Sequence, residues 1–153
     1  MTGPRADAYL AALRMLGRRE LSEAQIRQRL ARQGYPADEI DDAVARLRDS
    51  RALDDARVAE AIARIETAIR GRGRHRVLRR IEAAGIGRAD AQHAVDAIYS
   101  TVDAGALLGA AIAKRLRGRT RLEDDAERQR LYRYLVGQGF DIDAILRALE
   151  ALR

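Results

Sequence analysis

Six arginines and no acid stand in the stretch Arg70-Gly-Arg-Gly-Arg-His-Arg-Val-Leu-Arg-Arg80. Guanidinium forks match the paired oxygens of phosphates and carboxylates. Gly71 and Gly73 let the backbone come close to a partner. A second basic stretch, Lys114-Arg-Leu-Arg-Gly-Arg-Thr-Arg121, repeats the pattern. The chemistry of both is binding to an anionic surface. The candidate contact residues are Arg70, Arg72, Arg74, Arg76, Arg79 and Arg80 in the first stretch, and Arg115, Arg117, Arg119 and Arg121 in the second. The whole chain carries 29 basic residues against 23 acidic ones, a formal charge of +6, and Lys114 is the only lysine. A basic chain of this kind meets nucleic acid or an acidic partner.

Nothing comparable points to catalysis. His75 and His93 are isolated, and there is no cysteine, so no thiolate metal site, thiol nucleophile or disulfide can form. There is no HExxH and no GxxxxGK[ST] loop. Asp41-Asp42, Asp54-Asp55 and Asp124-Asp125 are neighbours in sequence, but adjacent helical residues point about 100° apart. They read as helix starts and wet faces. No metal, no cofactor and no enzymatic activity are expected. Ala84-Gly-Ile-Gly-Arg-Ala-Asp-Ala91 has the form of a phosphate-binding hairpin at a helix N-terminus. Gly85 is also a repeat glycine, however, and that favours an ordinary helix-ending turn. Base reading by a recognition helix is disfavoured, because the segment after Pro36 carries Asp38, Glu39, Asp41 and Asp42.

These residues must be held by a frame, and the frame is repetitive. Gly34, Gly85 and Gly139 share six surrounding columns. Eight residues before them stand Ile26, Val77 and Leu131; four before, Leu30, Ile81 and Leu135; one after, Tyr35, Ile86 and Phe140. Ile40, Ala91 and Ile145 follow at +6, Val44, Val95 and Leu149 at +10, and Leu47, Ile98 and Leu152 at +13. The first two columns are one helical turn apart and the last three form another helical stripe. Between them, glycine ends the first helix in the left-handed conformation. A further helix precedes each pair, marked by Leu13 and Leu16, by Val58, Ile62, Ile65 and Ile69, and by Leu108, Ile112 and Leu116. Ser22 with Gln25 and Thr120 with Glu123 read as capping boxes, and Asp54 as an N-cap with Arg57 as its partner. Tyr35, Phe140 and Tyr132 are assigned to the core and Tyr134 to the surface.

The expected fold is all-α: an elongated array of three tandem three-helix repeats, nine helices, over residues 6–50, 53–100 and 103–153. Thirty alanines, two prolines, three serines and no asparagine agree. No run approaches eighteen apolar residues, so no membrane helix is expected. Charge is segregated: Pro36–Glu60 holds eight carboxylates against four arginines.

Three segments of this sequence resemble the RecX family of bacterial RecA regulators. They are Arg18-Arg-Glu-Leu-Ser22 with Ile26-x3-Leu30-x3-Gly34-Tyr35, then Leu53-Asp54-Asp55-x-Arg57-Val-Ala59, and finally Arg130-Leu-Tyr-Arg-Tyr-Leu-x3-Gly139-Phe140. The resemblance spans about residues 8–152, with Val58 where the family commonly has Phe. It implies a protein that binds RecA–DNA filaments in their groove and inhibits strand exchange and ATP hydrolysis. Recombination, DNA repair and the SOS response would be modulated as a result. It further implies a cytoplasmic monomer that meets single- or double-stranded DNA without sequence preference. The alternative from the residues themselves is an autonomous DNA-binding protein that uses its Arg-rich stretches without RecA.

Overall fold

The computed structural model describes residues 6–153, and every regular element among them is helical. In chain order these are α1 (Ala8–Arg18), α2 (Glu23–Arg32), α3 (Ala37–Asp49), α4 (Asp55–Arg64), a π-helical turn (Ile65–Ile69), α5 (Arg74–Ala83), α6 (Arg88–Tyr99), α7 (Ala104–Leu116), α8 (Asp125–Gly137) and α9 (Ile142–Glu150). None of them is long and apolar enough to cross a membrane alone.

The repeat columns are the core. All eighteen column positions are buried except Ile98 and Leu152, which are half-buried. Gly34, Gly85 and Gly139 take φ of 83°, 80° and 94°, the left-handed region that a Cβ disfavours. In the first and third repeats the following apolar residue closes the turn. The Tyr35 N–H donates to Leu30 O at 3.2 Å and the Phe140 N–H to Leu135 O at 3.3 Å. Most helix starts are capped by a short side chain. Ser22 and Gln25 form the expected capping box on α2, Asp54 accepts the Arg57 N–H at 3.2 Å, and Asp7, Asp103 and Asp141 cap α1, α7 and α9.

Three expectations are corrected. Thr120 and Glu123 do not open α8. Asp124 does, accepting the Glu127 N–H at 2.7 Å, while the Glu127 carboxylate accepts the Glu123 N–H at 2.6 Å. A carboxylate one residue before the helix outcompetes a hydroxyl further back. Second, of the four residues that mark the helix before the middle pair, Val58 is buried and Ile62 half-buried, but Ile65 and Ile69 leave the buried face. Ile65 is 46% and Ile69 79% exposed, whereas Ala59, Ala63, Glu66 and Thr67 are buried. The small alanines allow the closest packing and centre the buried face on themselves. The π turn, closed by Arg70 N–H to Ile65 O at 3.1 Å, holds one residue more than an α turn and swings Ile69 further outward. Third, Tyr132 and Tyr134 are both half-buried rather than one inside and one outside.

The chain forms two compact units, one of residues up to Ala59 with Ile81–Ala91, the other of Glu60–Arg80 with Gln92–Arg153. The middle repeat is divided between them, because each of its parts packs on a neighbouring repeat. In the first unit α1, α2 and α3 enclose Ala12, Leu21, Ile26, Leu30, Val44 and Leu47. Gly85 rests on Ala24 of α2, and the Ser22 hydroxyl donates to the Ala84 carbonyl. In the second unit α7, α8 and α9 enclose Leu108, Ile112, Leu116, Leu131, Leu135, Phe140, Ile145 and Leu149. There Gly139 rests on the Arg76 backbone, and Gly73 on the backbone of Gly139 and Phe140. The Gly73 N–H donates to Gln138 O at 2.8 Å and the His75 N–H to Gly139 O at 3.0 Å. The same relation occurs twice: the start of one repeat's second helix lies on the glycine turn of the next.

Gly139→Ala and Gly118→Ala separate conformation from contact. Gly118 also has a positive φ, 88°, but a Cβ there meets nothing within 4 Å. Gly118→Ala should lower unfolding stability by about 1 kcal/mol, the conformational cost alone. Gly139→Ala and Gly85→Ala should lower it further, since their Cβ atoms would collide with Arg76 and with Ala24. Urea denaturation measures all three, and equal losses would contradict the contact.

Candidate partner-binding surfaces

Only residues 70–73 of the first basic stretch are a loop; Arg74, Arg76, Arg79 and Arg80 lie on α5. Four of its six arginines are tied into the second unit. Arg70 pairs with Glu66 at 3.1 Å. The Arg72 guanidinium donates to the Gln138 side chain, and the Arg72 carbonyl accepts the Tyr99 hydroxyl at 2.6 Å. Arg74 pairs with Asp96 and lies 5.7 Å from the Tyr99 ring centre. Arg76 donates to Gly137 O at 3.3 Å. Arg79 and Arg80 are exposed and have no partner among the described residues. The close approach allowed by Gly73 is to the protein's own backbone at Gly139, rather than to a ligand.

The second stretch spans the end of α7 and the loop to α8. Arg115 stands 4.5 Å over the Tyr134 ring, which accounts for the half-burial of that tyrosine. Arg117 ends α7 in the left-handed conformation, φ 51°. Arg119 bridges to Glu123 at 3.3 Å and to Glu127. The Arg119 hydrogen bond, reinforced by the Glu123 N–H, holds the Glu127 carboxyl down at about 2. Arg117 and Arg121 are exposed and carry no partner among the described residues. The cationic side chains of the two stretches left without an internal partner among the described residues are therefore Arg79, Arg80, Lys114, Arg117 and Arg121.

The first unit has a basic surface that local charge density does not reveal. A groove of about 530 Å³ between α1 and α2 is lined by Arg14, Arg18, Arg19, Arg29 and Arg32, with Ala11 and Met15 at its floor. These arginines are scattered in sequence, and only the helical spacings 14/18 and 29/32 hint that they share faces. His75 and His93 are exposed. Among the described residues, no three His, Asp or Glu side chains are placed to hold a metal ion.

Comparison with known proteins decides the family. The description "RecX, first three-helix domain" matches residues 8–47, and "RecX, third three-helix domain" matches residues 106–149. The chain is 32% identical over 146 residues to "Regulatory protein RecX" of Chromohalobacter salexigens, covering 95% of this chain and 90% of that one. The chain belongs to the RecX family. It is also 48% identical to "Regulatory protein RecX" of Syntrophotalea carbinolica over a shorter stretch of 61 residues, 40% of either chain. The fold matches the crystal structure of RecX from Lactobacillus salivarius with a TM-score of 0.77 at 20% identity, covering 95% of this chain and 94% of that one.

The segment Leu53-Asp54-Asp55-x-Arg57, which resembles a RecX signature, is a clamp on the first unit. Leu53 is buried, and Asp54 caps α4. Asp55 reaches back to accept the Glu23 N–H at 2.8 Å, satisfying the first turn of α2. Arg57 meets Asp54, as its spacing suggested, but through its backbone N–H and not its guanidinium. The guanidinium meets Glu20 at 2.7 Å and donates to the carbonyls of Arg51 and Ala52 at 3.1 and 3.2 Å. A partner outside the helix won because Asp54 is occupied by the backbone. Gly85, candidate anchor of a phosphate hairpin, is likewise occupied by Ala24.

The Glu127–Arg119 pair is checked by titration. Because the folded carboxyl titrates below an unfolded glutamate, its stabilising contribution is present above the ordinary glutamate range and is lost as pH falls towards about 2. The side-chain carbon resonance of Glu127 in a carbon-detected NMR titration should show that low midpoint. Arg119→Ala should return it towards the ordinary range. No movement in the variant would assign the shift to the Glu123 N–H alone.

Proposed function

We propose that this RecX-family protein binds RecA–DNA filaments and inhibits the recombinase, damping strand exchange and ATP hydrolysis in recombination, repair and the SOS response. The observation that carries the reading is family membership across nearly the whole chain. The regulatory name of the relatives supports it, as do the four free arginines on the second unit. Arginines without internal acids suit phosphates or carboxylates on a filament. The fixed arginines, Arg70, Arg72, Arg74, Arg76, Arg115 and Arg119, shape that surface and have less freedom to contact a partner.

RecA ATPase on single-stranded DNA, with and without the protein, tests the reading: inhibition is expected, and unchanged turnover at saturating protein would refute it. The surface is tested by replacing Arg79, Arg80, Arg117 and Arg121 together by Ala. Filament binding should weaken and its salt dependence flatten, by about 0.7 in log–log slope for each arginine that meets single-strand phosphate. Thermal stability should hold. By contrast Arg72→Ala should destabilise the fold, since it strips Gln138 of its partner. Equal affinity of the fourfold variant at low and high salt would remove these residues from the interface. Tight, steeply salt-dependent binding to naked DNA would favour an autonomous DNA-binding role.

A further inference from the structure

We propose that the α1–α2 groove of the first unit is a docking site for an acidic polypeptide segment of a partner protein, one in which carboxylates alternate with aliphatic side chains. The inference does not rest on the RecA reading, and it uses the opposite unit from the surface proposed above.

The charge pattern is the first observation. Arg14, Arg18, Arg19, Arg29 and Arg32 converge on one groove, and no acid lines it. None of the five has an ion pair or side-chain hydrogen bond among the described residues. Elsewhere in the first unit four arginines are matched with acids, Arg88 with Glu82 among them, while Arg46 stacks on the Tyr9 ring. Arg27 is held by Glu23 and Asp41, Arg48 by Glu23, and Arg57 by Glu20. Acids were available to the fold, and Asp38, Glu39 and Asp42 stay exposed on α3. Arginines at a helix C-terminus complement its dipole, which serves Arg18, Arg29 and Arg32 at the ends of α1 and α2. That benefit does not require the five to face one another, and it does not reach Arg14 in the body of α1. Like charges gathered in a groove repel, and an anion relieves the repulsion.

The floor chooses the anion. Ala11 and Met15 are aliphatic, and a thioether adapts its shape to varied apolar side chains. Single-stranded nucleic acid is held by arginines together with aromatic faces on which bases stack. The one aromatic side chain at this groove, Tyr35, is buried and its hydroxyl donates to Ala6 O at 2.6 Å, so its face is not offered. The volume is that of a pocket for a small ligand or a few residues. Forks on the walls and an apolar floor fit a segment of Glu or Asp interspersed with Leu or Ala.

The test uses the full chain and fluorescence anisotropy with three labelled probes: a twelve-residue peptide of repeated Glu-Glu-Leu, the same design with Lys for Glu, and a twelve-nucleotide oligo(dT). The Glu peptide should bind, more weakly as salt rises, and the Lys peptide should not. Arg14→Gln, Arg18→Gln and Arg32→Gln together should weaken the Glu peptide at least tenfold. The same three changed to Lys should retain part of the affinity, because charge survives while the fork is lost. The single variant Met15→Asp, which spoils the floor and leaves all five arginines, guards against a triple variant that misfolds, and it should also weaken the peptide. Absence of Glu-peptide binding to the wild type at millimolar concentration overturns the proposal. So does equal binding by wild type and both sets of groove variants. Oligo(dT) binding that the triple variant loses, without peptide binding, would reassign the groove to nucleic acid.

Discussion

Two glycine contacts, in which backbone lies directly on a neighbouring segment, govern the arrangement of this chain. At Gly85 against Ala24, and at Gly139 against Arg76 and Gly73, there is no room for a Cβ on the glycine. Glycine therefore serves twice at these turns, once for its positive φ and once for its missing side chain. The consequences spread along the sequence. Because the segment from Gly73 to Arg76 must run against Gln138 and Gly139, its arginines emerge beside Asp96, Gln138 and the Gly137 carbonyl. Their pairing follows from the backbone contact. A basic run that looks from its composition like a free loop is in large part a strap.

The first unit solves the same junction with polar groups in place of bare backbone. Ser22 stands where the second unit has Gly73, and its hydroxyl both caps α2 and donates to Ala84 O. Around it, Glu23 is shared by Arg27 and Arg48, and the Arg48 hydrogen bond foremost draws its carboxyl below the usual range. Asp55, which accepts the Glu23 N–H, is pushed the other way, chiefly by burial. The two carboxylates respond to acid in opposite senses. Protonating Glu23 removes stabilisation as pH falls, while Asp55 keeps its charge at some cost that protonation relieves. Both are partly wet, so each effect is modest. Their value lies in direction: Asp55 at the start of α4 ends on the N-terminus of α2, tying the Leu53–Arg57 segment to the second helix of the preceding repeat.

What the sequence disclosed was whatever a single period determines. Six apolar columns around three glycines give two helices per repeat, and sixteen of eighteen positions are buried as their spacing requires. Caps formed within four residues of their helix were also legible, as at Ser22–Gln25 and Asp54. Legibility failed where a choice among similar local options was settled by packing. Ile65 and Ile69 look more core-like than Ala59 and Ala63, yet close packing selects the alanines and the π turn completes the rotation. Asp124 displaced Thr120 because a carboxylate stood nearer the helix. Arg57 found Glu20, 37 positions away in sequence, a distance no local rule covers.

The arginines show the same limit in the form that matters for function. Charge density along the chain selected Arg70–Arg80, where folding consumes most of the charge, and passed over Arg14, Arg18, Arg19, Arg29 and Arg32, where folding consumes none among the described residues. The reason is geometric. A dense run places arginines on all sides of a helix or loop, so some must meet the protein's own acids and carbonyls. Arginines three or four apart on two facing helices instead point into one groove, and nothing in the groove answers them. In a chain whose basic residues are nearly all arginine, the number of arginines in a stretch says little about binding. The informative quantity is the positive charge left without an internal partner once the helices are packed. By that measure Arg79, Arg80, Lys114, Arg117 and Arg121, and with them the α1–α2 groove, stand apart from the arginines that the fold ties down in the two basic stretches.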